Sequence, residues 1–476
     1  MSTDLLSQLE EYYTSMIDAQ EAIHTPEIAE LLDGVRPIPL VADTKRRSSW
    51  EPLVVTAAAA AVVVAAIAIP LMLRSPLQDS PIATPDEVTT TTPAPISSSS
   101  LTWSRVPHDE ATLGGEGFQT MSGVTVGGPG LVAVGSAVWT STDGITWTRV
   151  GDQPLNGSMS DVEVGGPGLV AVGVADDNTR GGDAAVWTSA DGVTWSRVPH
   201  DEAVFGGEGT QIMHSVTVGG PGLVAVGAAE EGSDAAAVWT SVDGITWSRV
   251  PHDEAIFGGP ANHTMNDVTV GGPGLIAVGA EFSASHENAA LWTSMDGITW
   301  SRAPHNHEVF GGSGNVGAEM WSVTAGGPGL VAVGGRWDGP LAQRTYHAAA
   351  WTSNDGVTWT LVPDDETVFG GDPSMRSVTV AGPGLVAAGG ATVWTSVDGI
   401  RWSRIPHDDA VFGEPPLPSG TGFDGMRSVT ASGRSVWAVG SVWRFDDGVR
   451  TDDIGQRVTR GEADLDAAVW TATRND

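Results

Sequence analysis

The side chains with the most chemical capacity in this 476-residue chain recur as short polar triplets. They read His108-Asp109-Glu110, His200-Asp201-Glu202, His252-Asp253-Glu254, His305-Asn306-His307, Asp364-Asp365-Glu366 and His407-Asp408-Asp409. Oxygen-rich triplets suit Ca2+, and an imidazole among them suits a transition ion. Near-identical copies at a fixed period argue instead for a structural turn, with Phe205, Phe257, Phe310, Phe369 and Phe412 wedged between units. A second series, Met121, Met159, Met213, Met265, Met320, Met375 and Met426, invites a copper reading. Methionine is a common gap-filler and only His214 stands beside the series, so packing is the expectation. Neither a metal nor a cofactor is assigned.

Two segments, 335–350 and 441–467, break the regularity and read as long loops. The first carries Arg336, Trp337, Arg344 and Tyr346, and the second Trp443, Arg444, Arg450, Arg457 and Arg460. Arginine with aromatics is the composition of binding hot spots. On an acidic chain such arginines make a local positive spot able to hold an anionic group through charge-assisted bonds. These nine residues are the candidate ligand site, and no catalytic residue is assigned.

What positions these residues is a unit of about 50 residues repeated seven times between Leu101 and Asp476. Its centre reads SGVTVGGPGLVAVG from Ser122, SDVEVGGPGLVAVG from Ser160, HSVTVGGPGLVAVG from His214 and NDVTVGGPGLIAVG from Asn266. It continues as WSVTAGGPGLVAVG from Trp321, RSVTVAGPGLVAAG from Arg376 and RSVTASGRSVWAVG from Arg427. The β-branched runs predict strands, and the Pro-Gly between them suits a tight turn. A hairpin of the form VWTSxDGxTW follows, intact six times from Trp139/Trp147 to Trp394/Trp402. Four strands per unit, seven times, predicts an all-β, seven-bladed β-propeller of four-stranded blades.

The seventh hairpin is split between Trp470 near the end of the array and Trp103 at its start. A closed ring explains this, because pairing the first strand with the last sheet removes two open edges. Residues 101–106 are therefore predicted as the outermost strand of blade seven. Fourteen of the nineteen tryptophans sit in these hairpins, which makes them core and not a carbohydrate platform. Strand directions put the Gly-Gly-Pro-Gly turns and Asp-Gly hairpins on one face, the bottom. The triplets and both irregular segments fall on the other, the top.

Upstream, residues 52–73 hold no charge over a length that spans a bilayer, and Lys45, Arg46 and Arg47 precede them. The expectation is a short helical tail over 1–50 in the cytoplasm and one transmembrane helix over 52–73. A Pro/Thr/Ser-rich stalk over 74–100 would follow, with the propeller over 101–476 outside the cell. The chain has no cysteine, which excludes disulfides and thiol catalysis. Its formal charge of −35 disfavours nucleic acid and anionic membrane surfaces. A single lysine amid abundant Arg, Ala, Gly and Val fits a high-GC, actinobacterial-like source.

At Ser141-Thr142-Asp143-Gly144-Ile145-Thr146-Trp147 and its copies the chain resembles the Asp-box, or BNR-like, repeat of sialidases and related propellers. It departs in spacing, with one residue fewer between Asp and Gly. The resemblance implies that the Asp is a turn residue on the face away from any active site. The sialidase catalytic set is not found: Tyr346 is the array's single tyrosine, and Arg404-Ile405-Pro406 is a repeat position matched by Arg105, Arg197 and Arg249.

The reading is a membrane-anchored, cell-surface propeller, monomeric, that binds a glycan or protein ligand on its membrane-distal face. Two alternatives stand beside it. One is a glycan-active hydrolase or lyase; the other is the extracytoplasmic sensor of an anti-sigma-like regulator.

Overall fold

The computed structural model describes residues 101–474, apart from 116, 152–154, 176–181, 231–233, 283–286, 312–315, 340–343, 372–373, 414–424 and 446–462. The tail, span and stalk expected upstream of Leu101 lie outside the described residues. Among the described residues no helix is long and apolar enough to cross a membrane.

Among the described residues twenty-eight strands, numbered β1–β28 in chain order, form seven four-stranded antiparallel sheets. The innermost strands are β2 (Met121–Gly127), β6 (Gly157–Gly165), β10 (Gln211–Gly219) and β14 (Asn262–Gly271). The ring continues through β18 (Gly317–Gly326), β22 (Ser377–Ala381) and β26 (Gly425–Ser432). Each touches the next, and β26 touches β2, so the ring is closed. The last sheet runs in the order β1-β28-β27-β26, with β1 (Leu101–Arg105) as its outer strand against β28 (Ala463–Arg474). The split hairpin is therefore the seam of the ring.

The repeat dictates this locally. In the Gly-Gly-Pro-Gly turn, Gly128 has φ 56° and Gly130 φ 152°. A Cβ on Gly130 would also lie 2.6 Å from the Ser141 carbonyl oxygen, so glycine is required twice over. The third strand of each blade supplies a tryptophan with almost no exposure, from Trp139 to Trp470. Its indole N–H donates to a backbone carbonyl in the loop arriving from the preceding blade: Trp239 to Val204 at 2.7 Å, Trp292 to Ile256 at 2.8 Å and Trp351 to Val309 at 2.7 Å. The neighbouring Phe205, Phe257 and Phe310 are buried in the same interblade clusters as the methionines. Seven such clusters, one per interface, are the core.

The S-x-D-G segment is wider than a two-residue hairpin. The Ser241 hydroxyl accepts the Gly244 amide at 2.8 Å, while Asp243 Oδ1 accepts the amides of Ile245 and Thr246 at 2.8 and 2.6 Å. Asp243 is thus a turn organiser. Its equivalents Asp143, Asp191 and Asp355 are held down at about 2, chiefly by the same two amides.

The two irregular segments are corrected in part. The first is largely strand: β19 (Gly329–Asp338) and β20 (Thr345–Ser353) extend the ladder, with Arg336 opposite His347 and Trp337 opposite Tyr346. The second likewise lengthens β27 (Ser435–Phe445) and β28, with Trp443 opposite Leu465 and Arg444 opposite Asp464. The aromatic pair Trp337 and Tyr346, opposite one another across strands, favours that extension over a loop in the first segment. Arg450, Arg457 and Arg460 lie outside the described residues.

Candidate functional site

Six of the seven innermost strands carry a β-bulge one residue after their methionine, as the register shifts between Met159 and Asp161, Met213 and Ser215, and Met265 and Asp267 show. The methionines point into the interblade core and are fully buried. A bulge re-aims the extra residue. At that position stand Ser122, Ser160, His214, Asn266, Trp321 and Arg427, with Arg376 at the matching place just before β22. All seven are half-buried, which is what side chains turned toward the axis of the ring should show.

These side chains reach from blade to blade. His214 Nδ1 lies 3.0 Å from the Met265 carbonyl oxygen. Asn266 donates to the Met320 carbonyl at 2.9 Å and to Glu319 Oε1 at 3.1 Å. The Arg376 guanidinium sits over the Trp321 ring, 4.0 Å from its centroid. Arg376 and Arg427 are close enough to feel each other's charge, which together with burial pulls Arg427 below the usual arginine range, burial being the larger cause. Blades three to seven thus present a continuous polar arc, while Ser122 and Ser160 leave more room on the remaining side.

A lower tier holds the arc in place. Asp161 accepts the Val216 amide of the next blade at 3.0 Å, and Asp267 accepts the Val323 amide at 2.8 Å and the Ser215 hydroxyl at 2.7 Å. Ser322 accepts the Val378 amide at 3.3 Å and Ser377 the Val429 amide at 3.1 Å. These groups stitch neighbouring inner strands together. Burial raises Asp161 and lifts Asp267 to about 6. Glu163, where six other blades have Thr, is lifted to about 7 by burial and by Asp161. Glu319 is also pushed up to about 7, by burial against the opposing pull of Asn266 and Arg376.

Among the residues expected to bind ligand, Trp337 is buried and packs on Tyr346 with ring centroids 5.9 Å apart. Arg344 lies over the Trp337 ring at 5.3 Å and bonds Glu287 of the preceding blade, its Nη1 at 3.0 Å from Oε2. That guanidinium is already ion-paired. Arg336 is half-buried beside a small cavity that it lines with Asp338, His347 and Asp364. Trp443 and Arg444 are on the upper end of β27. The repeat arginines serve packing: Arg249 lies 5.8 Å over Trp239 and Arg105 5.7 Å over Trp470.

The triplets divide by role. Their middle residue caps a turn, as Asp109 accepts the Ala111 amide and Asp253 the Ala255 amide, at 3.0 and 2.9 Å. In three blades the turn becomes a one-turn helix: α1 (His307–Phe310), α2 (Glu366–Phe369) and α3 (Asp409–Phe412), capped by Asn306, Asp365 and Asp408. The flanking residues face one another, His200 Nε2 and Glu202 Oε2 being 3.2 Å apart.

Residues 97–316 match the family model described as the DUF6242 beta propeller domain. The match covers the first four of the seven blades and under half of the chain. No curated protein matches the sequence. Among solved structures, the chain is similar to a catalytically inactive virginiamycin B lyase from Staphylococcus aureus with quinupristin, at 9% identity and TM-score 0.40, over 79% of this chain and 100% of that one. It is similar also to a GH32 beta-fructofuranosidase from Bombyx mori in complex with sucrose, at 11% identity and TM-score 0.34, over 64% and 86%. At these levels the likeness carries no argument about chemistry.

The axial arc was present in the sequence as the variable residue after each methionine. That position holds five residue types in seven repeats (Ser, His, Asn, Trp and Arg), whereas the next holds three and the valine after it is invariant. Variation at a fixed place in an otherwise uniform strand is the signal that would have found it.

Proposed function

We propose that the propeller is a binding module that takes an anionic group at the upper end of its axis, between Arg376 and Arg427. The observation that carries this is the pairing of those two guanidiniums on adjacent inner strands of a chain with net charge −35. Two like charges brought together inside an acidic protein cost free energy that an anion between them offsets. Glu319 is an acid beside Arg376, and being raised to about 7 it compensates that guanidinium only partly near neutral pH. Trp321 adds an aromatic face beside Arg376, suited to a sugar ring or an aromatic group.

In this reading the segments 335–350 and 441–467 add further arginines to blades five and seven, Arg336, Arg444, Arg450, Arg457 and Arg460, that attract the same anionic ligand. The uncharged stretch 52–73 anchors the module to a membrane, with its ligand outside the cell. An acidic glycan or an acidic protein segment fits the charge; nucleic acid is disfavoured by the remaining surface. The deciding experiment is an array of carboxylated, sulfated and neutral glycans probed with the full chain and with Arg376→Ala/Arg427→Ala. Binding of acidic glycans that the double substitution abolishes supports the reading. Selective binding of neutral glycans by both proteins sinks it.

A hydrolytic reading has one specific observation in its favour. Glu319, raised to about 7 and hydrogen-bonded to Asn266, has the protonation behaviour of a general acid. Turnover of an array hit by the parent protein and none by Glu319→Gln would favour it.

A further inference from the structure

Three blades bring an imidazole and two carboxylates together by different wiring. In blade seven His108 Nε2 lies 3.2 Å from Glu110 Oε2 and 3.6 Å from Asp466 Oδ2. In blade two His200 Nε2 lies 3.2 Å from Glu202 Oε2 and 3.8 Å from Asp183 Oδ2. In blade five His347 Nδ1 lies 3.3 Å from Glu366 Oε2 and 3.8 Å from Asp364 Oδ2. Within each trio the donor atoms lie within 4.8 Å of one another.

The wiring is what distinguishes these trios from the bare triplets. In blades two and seven the strand position four residues before the buried Trp187 and Trp470 holds a carboxylate, Asp183 or Asp466, and the loop holds the imidazole. In blade five the two are exchanged: His347 is on the strand, four before Trp351, and Asp364 is on the loop. The donor set is the same. In blades three, four and six the strand position is Ala235, Asn288 and Gly390, and the trio is incomplete.

A plain hydrogen-bonded cluster explains this poorly. One imidazole nitrogen carries at most one hydrogen, yet in each trio a single nitrogen faces oxygens from two carboxylates. One of these, Asp466, is only 1% exposed, so its carboxylate meets the imidazole away from bulk water. His347 is 9% exposed, and its Nδ1 makes no hydrogen bond of good geometry. A divalent ion among the three atoms accounts for their convergence. Tetrahedral Zn2+, with bonds of about 2.0–2.2 Å, holds its ligand atoms roughly 3.4 Å apart, close to the spacings seen here.

We propose that blades two, five and seven each hold a divalent transition-metal ion of the Zn2+ class on the top face, through His200/Asp183/Glu202, His347/Asp364/Glu366 and His108/Asp466/Glu110. Water completes each site. The ion ties the loop after a blade's outer strand to the top of its third strand. An imidazole in the set selects Zn2+ over Ca2+.

The test is metal stoichiometry on the untagged full-length chain in mild detergent, by equilibrium dialysis against Zn2+ with elemental analysis. The paired imidazoles of His305 and His307, 3.0 Å apart, offer a further weak contact, so the deciding quantity is the difference between variants. His108→Ala, His200→Ala and His347→Ala should each lose one Zn2+ per chain, and the triple variant three. Ala235→Asp should gain one, because His252 Nε2 and Glu254 Oε2 already stand 3.1 Å apart in blade three. Excess Ca2+ should displace none. Zn2+ binding unchanged in the triple variant, or no Zn2+ bound by the parent chain, overturns the proposal. Should Ala235→Asp fail to fold, the three histidine variants decide alone.

Discussion

Leu101 lies opposite Arg474 in one antiparallel ladder, and four further pairs follow, ending with Arg105 opposite Trp470. The two ends of the array, more than 370 residues apart in sequence, are thereby a single sheet edge. Trp103 extends the contact into the neighbouring interface, with its ring centroid 6.3 Å from that of Phe412. The first strand is therefore part of the core of blade seven.

Removing residues 100–107 should leave β28 as an open edge and expose the interface around Phe412. The expected outcome is a lower melting temperature or concentration-dependent aggregation, read by calorimetry and light scattering. A truncated chain that melts like the parent would mean that the seam contributes nothing.

The turn serine offers a smaller and cleaner test. Ser241 is 3% exposed, and its hydroxyl accepts the amides of Gly244 and Asp243. Ser241→Ala strands those buried donors at a cost of about 1–3 kcal/mol. Thr240→Ala, one residue away and half-buried on the strand, should cost less in urea unfolding.

Stability should fall as pH rises from about 4 to about 7. Asp267, Glu163 and Glu319 have folded values of about 6, 7 and 7, against ordinary values near 4 in an unfolded chain. Over that window the folded chain binds more protons than the unfolded one, so each pH step favours unfolding. Below about pH 4 the sign reverses, because Asp143, Asp191 and Asp355 are held near 2 by turn amides. Glu163→Thr, which restores the residue of the other blades, should raise the melting temperature at pH 8 by about 1–3 °C. The gain should vanish at pH 5. A gain equal at both pH values would point to packing and not to charge.

How much of this was legible depended on what constrains each residue. The strands, the turns and the ring closure follow from features written six or seven times over, such as the indole of Trp239 and the φ of Gly244. Trp337 and Tyr346 were misread as loop residues because Arg and Asp beside them hide the alternation, and only the facing strand reveals that they pair. The axial residues went unread for the opposite reason. A search for repetition passes over the one position, occupied by His214, Trp321 or Arg427, where packing stops imposing sameness. The triplets hid a division of labour, since Asp201 caps a turn while its neighbours His200 and Glu202 face each other.

The arginines separate the axial site from the irregular segments. Arg376 and Arg427 share the axis, Arg336 and Arg450 belong to the irregular segments, and Arg249 packs on Trp239. If the anionic group seats on the axis, Arg376→Ala/Arg427→Ala should weaken binding of an acidic glycan at least 100-fold, two charge-assisted bonds at about 1.5 kcal/mol or more each. Arg336→Ala/Arg450→Ala should cost about tenfold or less and steepen nothing in the salt dependence, as charges outside the axial pair act mainly through screened attraction. Arg249→Ala should change melting and not affinity. The measurement is titration calorimetry at two salt concentrations with circular dichroism on every variant. Equal losses from the two pairs would make the irregular segments part of the site itself, and a loss confined to Arg336→Ala/Arg450→Ala would move the site off the axis.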